Sequence, residues 1–246
     1  MSGRISIKFL FLFILFSGTA FLGFSQKLVS FPSRDGLLVS AEMHGSNTGG
    51  DIILLCHQAR FSRGEFQETA KKLAEMGYNC LAIDLRSGDQ VNGVTNETAA
   101  RARLAGKPTE FLDAEQDILA AIDYLKSLTP RPIILLGSSY SASLVLRIAK
   151  DNEQVKAVIA FSPGEYFGEK LNLSNAIKGL NKPTFLTSSQ KEAPAVKLLA
   201  QSIDNQITTT FVPKGEGYHG SKALWSQNPG NEEYWTALKK FLSSLH

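Results

Sequence analysis

The sequence lacks any run of basic residues. Its 246 residues include 26 Lys and Arg against 23 Asp and Glu, a formal net charge of +3. Two of the positive charges, Arg4 and Lys8, lie among the first 25 residues, so the rest of the chain is close to neutral. Proteins that bind nucleic acids normally present a basic patch. No nucleic-acid partner is therefore expected.

Cysteine is also scarce, with only Cys56 and Cys80. Cys56 ends one apolar run, whereas Cys80 begins another. If both runs are parallel neighbours in a sheet, the two sulfurs lie at opposite ends of their strands. A disulfide needs Cα atoms about 4.4–6.8 Å apart. We expect two buried, unpaired thiols.

Neither a cluster of metal-ligating residues nor a glycine-rich loop that would cradle phosphate is evident in the sequence. No metal and no cofactor is therefore expected. Hydrophobic residues make up 43% of the chain and charged residues 20%, which is ordinary for a globular protein and excludes disordered and fibrous classes.

The first 25 residues resemble an export signal. A basic start at Arg4 and Lys8 precedes a long apolar stretch, and small residues at Gly23 and Ser25 precede Gln26. This is the three-part pattern of a secretory signal peptide. We expect cleavage near Ser25–Gln26 and a secreted or periplasmic protein. An uncleaved membrane anchor is the alternative, and would be the only contact with a membrane.

The remaining residues, 26–246, alternate between apolar runs and amphipathic segments. An Asp35-Gly36 turn predicts a starting hairpin, and a capping box of Ser62 and Glu65 predicts the start of the first helix. Residues 86–107 form a polar, irregular stretch. Continuous apolar strands alternating with helices indicate a mostly parallel sheet covered on both faces. We expect one α/β domain with about eight strands and a minimal cap.

The stretch "GSSYSAS", residues 137–143, lies between a predicted strand and a predicted helix. The nucleophile-elbow pattern Gly-x-Ser-x-Gly requires this context, because a strained turn projects one serine Oγ above the sheet. Ser139 occupies the central position, and Ser141 replaces the second glycine. Ser139 is therefore the candidate nucleophile.

A serine hydroxyl needs a base, and the base needs an acid to orient it. Among four histidines, only His219 lies in a loop downstream of Ser139 and before the chain terminus. Glu192 is the carboxylate on the loop that follows the predicted strand at 183–189, and is the candidate acid. Glu165 is the alternative acid.

An oxyanion formed at Ser139 would need backbone donors. The N–H of Tyr140 is one candidate. Gln58 or Ala59, in the turn after the strand that ends at Cys56, is expected to supply the other. His57 is interpreted as structural, hydrogen-bonded within this turn.

Four features carry a resemblance: "LLCHQA", "AIDLRSG", "GSSYS" and "GYHG". Together they resemble the α/β-hydrolase family along nearly all of residues 27–246, and most closely its dienelactone-hydrolase-like and small bacterial serine esterase members. The resemblance implies the α/β-hydrolase fold. A dienelactone hydrolase uses a cysteine nucleophile, whereas position 139 is serine.

The resemblance and the candidate residues together predict a serine hydrolase that cleaves a small ester through an acyl-enzyme. A peptidase or acyltransferase with the same triad is the alternative, and a non-catalytic binding protein of the same fold is another. In the loops that follow the strands, Asp84 and Arg86 are expected to brace loops. Phe61, Tyr140 and Tyr166 are candidate walls of a substrate site.

Overall fold

The computed structural model describes residues 26–245, and the predicted signal peptide lies outside this range. Ten strands are formed, in chain order β1 Gln26–Pro32, β2 Leu38–His44, β3 Ile52–Cys56, β4 Asn79–Ile83, β5 Gln90–Val91, β6 Val94–Thr95, β7 Ile133–Ser138, β8 Val155–Phe161, β9 Thr184–Thr187 and β10 Thr208–Phe211. Seven α-helices alternate with them: α1 Gln67–Glu75, α2 Glu97–Leu104, α3 Glu115–Leu128, α4 Tyr140–Asp151, α5 Leu173–Ala176, α6 Ala193–Ala200 and α7 Asn231–Ser243.

Eight of the strands form one sheet in the order β1-β2-β4-β3-β7-β8-β9-β10. The pairs β1–β2 and β2–β4 are antiparallel, and the other neighbours are parallel. This confirms the predicted α/β fold with its starting hairpin. The carboxyl ends of β3, β7, β8 and β9 consequently lie at one edge, where functional groups collect in such sheets.

The core lies on both faces of this sheet because side chains alternate along each strand. In β3, Leu54 and Cys56 join the core on one face, together with residues of α3, α4 and α6. Ile53 and Leu55 join the core on the other face, with residues of α1 and α7. The continuous apolar runs of the sequence therefore reflect strands that are buried on two sides.

The expectation of an irregular stretch at 86–107 is wrong. The short β5–β6 hairpin and α2 occupy it, and Asn96 caps α2 by accepting the Ala99 N–H at 2.8 Å. Helix α2 buries only three small side chains, Thr98, Ala99 and Ala102. Such a helix has no broad apolar stripe, which is why the hydrophobic pattern did not reveal it.

Two cysteine predictions are confirmed. Cys56 and Cys80 are buried and unpaired, and they lie at opposite ends of the adjacent strands β3 and β4. Burial raises the pKa of both thiols.

Among residues 26–245 no helix is both long enough and apolar enough to span a bilayer.

A buried ion-pair network braces the loops beside the sheet edge, as expected for Asp84 and Arg86. Arg86 is fully buried and binds Asp117 through Nη2 at 2.7 Å and Asp35 through Nη1 at 3.0 Å. Asp84 accepts the Arg63 N–H at 2.8 Å and the Glu97 N–H at 2.9 Å. The loop after β4 is thus tied to the first hairpin and to α3.

Asp117→Ala is expected to destabilise the protein by about 3–5 kcal/mol, because removal of one partner leaves a buried charge poorly compensated. Urea denaturation measures the effect. Asp123→Ala is the matched control, since Asp123 lies on the same helix but is exposed. It should change the free energy of unfolding by less than about 0.5 kcal/mol. Equal stabilities of the two variants would contradict the bracing role.

Candidate active site

The turn between β7 and α4 holds Ser139 in a strained conformation. Ser139 has φ 61° and ψ −123°, a region that non-glycine residues rarely occupy. Its N–H donates to the Phe161 carbonyl at 2.8 Å, which ties the turn to β8. Gly137 is required here because a Cβ atom would lie 2.5 Å from the Ala142 Cα. This geometry projects the Ser139 side chain above the sheet edge.

The other serines of the stretch have separate structural contacts. Ser141 Oγ donates to the Cys56 carbonyl at 2.7 Å and accepts the Ser138 N–H at 2.9 Å. Ser143 Oγ donates to the Gly164 carbonyl at 2.8 Å. Ser141, which replaces the second glycine of the motif, therefore links β7 to β3 through a hydroxyl that glycine lacks.

The structure brings the three predicted triad residues together. His219 Nε2 lies 2.8 Å from Ser139 Oγ, and His219 Nδ1 is hydrogen-bonded to Glu192 Oε1. Ser139 is 6% exposed, whereas the His219 side chain is 40% exposed. A hydroxyl, an imidazole and a carboxylate in this order can move a proton from the serine to the histidine.

Ser162 is a residue of this site that the sequence interpretation missed. Its backbone has φ 54°, and its hydroxyl donates to Glu192 Oε2 at 3.0 Å. The same hydroxyl oxygen accepts the Gly220 N–H at 2.9 Å, next to His219. Ser162 thus connects the acid to the histidine loop. Its position directly after β8, at the same sheet edge, is the signal that could have revealed it.

Glu192 is held as a carboxylate by its surroundings. Burial raises the pKa of Glu192, but hydrogen bonds from His219, Ser189 and Ser162 outweigh burial and lower it to about 2. Ser189 Oγ donates to Glu192 Oε2 at 2.7 Å. The group is therefore ionised at any pH near neutrality, as an acid that orients a histidine must be.

A pH dependence follows from this lowered pKa. The unfolded chain protonates Glu192 near its ordinary pKa of 4.5, before the folded protein does. The stabilising contribution of Glu192 is complete above that pH and is lost as the pH falls towards about 2. Between about pH 5 and pH 3 the free energy of unfolding should therefore fall more steeply for the wild type than for Glu192→Gln. Parallel urea-denaturation results for the two proteins would refute this.

The structure places Glu192, and not Glu165, the alternative acid, against His219. Its carboxylate accepts the N–H groups of Leu173 at 2.6 Å and Ser174 at 2.9 Å, at the start of α5. Burial raises the pKa of Glu165, but these backbone hydrogen bonds outweigh burial and lower it. Glu165 is thus engaged in holding the loop after β8.

The backbone donors differ in one respect from the prediction. The Gln58 N–H donates to Glu65 Oε2 at 2.8 Å, so this N–H is not free to bind an oxyanion. Within residues 26–245 the N–H groups of Ala59 and Tyr140 have no hydrogen-bond acceptor. These two remain the predicted oxyanion donors.

His57 is buried and hydrogen-bonded within the turn, as predicted. Its Nδ1 lies 2.7 Å from the Gln58 carbonyl, and its Nε2 accepts the Leu85 N–H at 2.8 Å. Burial lowers the pKa of His57. The ring is therefore a neutral link between the loops after β3 and β4.

A cavity of about 340 Å³ lies between the segments 109–112 and 166–170. Its apolar lining includes Phe111, Leu112, Tyr166 and Phe167. The Tyr166 hydroxyl donates to the Ser162 carbonyl at 2.8 Å, and burial raises the pKa of the phenol. Tyr166 thus links the cavity to Ser162, a partner of Glu192, and of the three candidate walls it is the one that lines this cavity.

The other two candidate walls lie elsewhere. Phe61 stacks on Trp225 with ring centroids 6.2 Å apart, and Tyr140 is fully buried against Phe111 at 4.5 Å. Neither ring is part of the lining of this cavity. No group of three or more His, Cys, Asp or Glu residues within the described part of the chain could hold a metal ion.

The sequence profile of the dienelactone hydrolase family matches residues 47–213. The chain belongs to the dienelactone hydrolase family. Since this range contains β3 to β10, Ser139 and Glu192, family membership covers most of the sheet and of the site. His219 lies outside the matched range. Membership of the dienelactone hydrolase family agrees with the α/β-hydrolase fold of the structure and supports hydrolase activity.

Solved structures with the same fold include hydrolases of several kinds. An esterase of Pyrococcus furiosus is 20% identical, with a TM-score of 0.70 over 90% of this chain and 93% of that one. A dienelactone hydrolase of Anabaena variabilis is 16% identical, with a TM-score of 0.68 over 89% and 97%. An esterase domain from Rhodothermus marinus is 16% identical, with a TM-score of 0.62 over 90% and 98%. Among curated proteins, none matches the chain.

Proposed function

We propose that the protein is a serine hydrolase that cleaves a small ester through an acyl-enzyme. The observation that carries the proposal is the 2.8 Å contact between Ser139 Oγ and His219 Nε2, with Glu192 on the far side of the ring. The strained backbone of Ser139 supports it, because strain of this kind concentrates at functional sites. Family membership supports a hydrolase.

In the proposed reaction, Ser139 Oγ attacks the ester carbonyl while His219 takes the hydroxyl proton. Glu192 holds the imidazole in its orientation and stabilises the positive charge that forms on it. The N–H groups of Ala59 and Tyr140 donate to the oxyanion, and each such donor contributes about 3–4 kcal/mol in a studied protease. His219 then protonates the leaving alcohol, and water hydrolyses the acyl group from Ser139.

The apolar cavity beside Tyr166 is the proposed site for one side of the ester. Its volume of about 340 Å³ is at the small end of the range for ligand pockets. Lys170 and Glu110 line the same cavity and form an exposed ion pair. A short aliphatic or single-ring group fits this space, which supports a small substrate.

Leu112→Phe should narrow the cavity and shift substrate preference. We expect the ratio of kcat/KM for p-nitrophenyl hexanoate to that for the acetate to fall by about tenfold, the effect of one or two methylenes in an apolar pocket. Leu128→Phe is the control, because Leu128 is 55% exposed at the end of α3. An unchanged ratio in Leu112→Phe would place the substrate elsewhere.

A fluorophosphonate tests the proposed function, because it reacts only with an activated serine. The expected result is one covalent label per chain on Ser139, located by peptide mass spectrometry, and no label on Ser139→Ala. Absence of labelling in folded wild-type protein would favour a binding protein with the same fold. If the unlabelled protein, shown in parallel to react with the fluorophosphonate, turns over peptides rather than esters, the peptidase alternative is favoured.

We also propose that residues 1–25 direct export and are then removed. The basic start, the apolar stretch and the small residues before Gln26 support this. Mass spectrometry of the mature protein should find its N-terminus at or near Gln26. A protein that begins at Met1 would instead favour a retained anchor.

A further inference from the structure

Glu65 is a fully buried carboxylate that the proposed proton transfer does not use. It lies in the 3₁₀ turn Arg63–Phe66, between β3 and α1. The predicted capping box is half wrong: Ser62 caps the turn by accepting the Gly64 N–H at 3.2 Å, but the Glu65 side chain does not return to Ser62. It points instead into the interior beneath the site.

Three loops converge on this carboxylate. Oε2 accepts the Gln58 N–H at 2.8 Å, from the loop after β3. Oε1 accepts the Ser138 hydroxyl at 2.7 Å, from the end of β7, and the Ser221 hydroxyl at 2.6 Å, from the histidine loop. The Ser221 N–H also donates to Ser138 Oγ at 2.8 Å, which closes the network.

Each of these partners is a near neighbour of a reacting group. Gln58 precedes Ala59, whose N–H is a proposed oxyanion donor. Ser138 precedes the nucleophile, and Ser221 follows His219 by two residues. A hydrogen bond that fixes one residue of a loop limits how far its neighbours can move. Glu65 therefore contacts the supports of all three parts of the site.

The chemistry of the network requires an acceptor at this position. Ser138 Oγ accepts the Ser221 N–H, and the buried Ser138 hydroxyl proton is donated to Glu65. All three groups around Glu65 donate, and an ionised carboxylate is the side chain that only accepts. Among residues 26–245 no Lys or Arg forms an ion pair with Glu65.

Burying a carboxylate without a cation is costly. Burial raises the pKa of Glu65, whereas the hydrogen bonds from Ser221, Ser138 and Gln58 and the charge of nearby His219 oppose the shift. If this position only had to stabilise the fold, an apolar side chain of similar size would be sufficient. The cost is consistent with a functional requirement for this group.

We propose that Glu65 is a positioning residue for the ester hydrolysis. Its carboxylate holds the Ala59 N–H, Ser139 and His219 in the correct positions relative to each other. This inference depends on the proposed function. Glu65 touches no substrate and acts through Gln58, Ser138 and Ser221. Displacement of a catalytic group by about 1 Å can cost on the order of 100-fold in rate.

Glu65→Gln tests the proposal with minimal change in size. The amide replaces one acceptor oxygen by a donor, so at least one of the three hydrogen bonds is lost. We expect kcat for p-nitrophenyl acetate to fall by about 10–100-fold. KM should stay within about twofold, because the misplaced groups act on the transition state rather than on bound substrate. A purely structural role would not separate kcat from KM in folded protein.

Thr69→Val is the matched control. Thr69 lies on α1 one turn after Glu65, is fully buried, and has a hydroxyl without a hydrogen-bond partner in the described chain. Its replacement changes a buried polar group near Glu65 without touching the network. Thr69→Val should keep kcat within about twofold of the wild type, since an unpaired hydroxyl contributes no bond to lose.

Ser221→Ala provides a second variant in case Glu65→Gln does not fold. It removes one donor to Glu65 and keeps the Ser221 N–H contact with Ser138. We expect a loss in kcat of about 3–10-fold with unchanged KM, and no further loss when it is combined with Glu65→Gln.

The outcomes separate the two proposals. Suppose that the wild-type protein reacts with both the ester and the fluorophosphonate. If kcat of Glu65→Gln then equals that of Thr69→Val, the role of Glu65 is overturned and the proposed function stays intact. Ser221→Ala takes the place of Glu65→Gln in this comparison if that variant does not fold. Folded wild-type protein that is inert towards both reagents would overturn both proposals. A selective loss of kcat in the network variants would support the inference.

Discussion

Ser139→Ala is expected to lower kcat for ester hydrolysis by about 10⁶, the loss seen when the nucleophile of a serine protease is removed. His219→Ala is expected to cause a loss of similar size, because the 2.8 Å contact makes the two side chains one unit. The physical reason is that neither an unactivated hydroxyl nor an imidazole without its hydroxyl forms the acyl-enzyme. Steady-state kinetics with p-nitrophenyl acetate measures both variants.

The double variant Ser139→Ala/His219→Ala should be no slower than either single variant, since the second change removes nothing that still functions. His44→Gln is the matched control for the histidine. His44 pairs with Cys80 at the start of β4, the sheet edge opposite to the site, and its loss should leave kcat unchanged. Additive losses in the double variant would show that Ser139 and His219 do not act together.

Glu192→Gln is expected to lower kcat by about 10⁴, as the change from carboxylate to amide does in a well-studied triad. The amide neither fixes the tautomer of His219 nor stabilises the imidazolium that forms when the proton leaves Ser139. In the proposed mechanism Glu192 contacts His219 and not the substrate, so KM should change little. The same ester assay gives both constants.

Glu165→Gln is the control for this carboxylate. Glu165 holds the N–H groups at the start of α5 and has no contact with His219 in the structure. It should keep kcat within about threefold of the wild type, an effect of local loop stability alone. Comparable losses in Glu192→Gln and Glu165→Gln would contradict the assignment of the acid.

The fold could be predicted because its central strands correspond to continuous apolar runs in the sequence. β3, β4, β7 and β8 are buried on both sides, and strands in a covered parallel sheet typically have that pattern. Ser139, His219 and Glu192 could be proposed for a related reason. Their loops follow strands that must end at the same sheet edge, so chain order alone brings them near each other.

The parts that sequence reasoning missed depend on side-chain directions. Helix α2 has a small, weakly apolar buried face, which periodicity does not detect. Glu65 satisfied a local capping pattern, yet the structure uses it across three loops that are distant in sequence. Gln58 and Ala59 were equivalent in sequence, and only the bond from Gln58 to Glu65 separates them. Such choices are made by tertiary contacts.

Trapping the acyl-enzyme tests the central claim most directly. Protein mixed with p-nitrophenyl acetate is quenched in acid within the first turnovers, digested and analysed by mass spectrometry. The proposed mechanism predicts an acetyl group on the peptide that contains Ser139, and none on that peptide from Ser139→Ala. Ester turnover with Ser139 unmodified, or with acetyl on another residue that turns over at the catalytic rate, would contradict it.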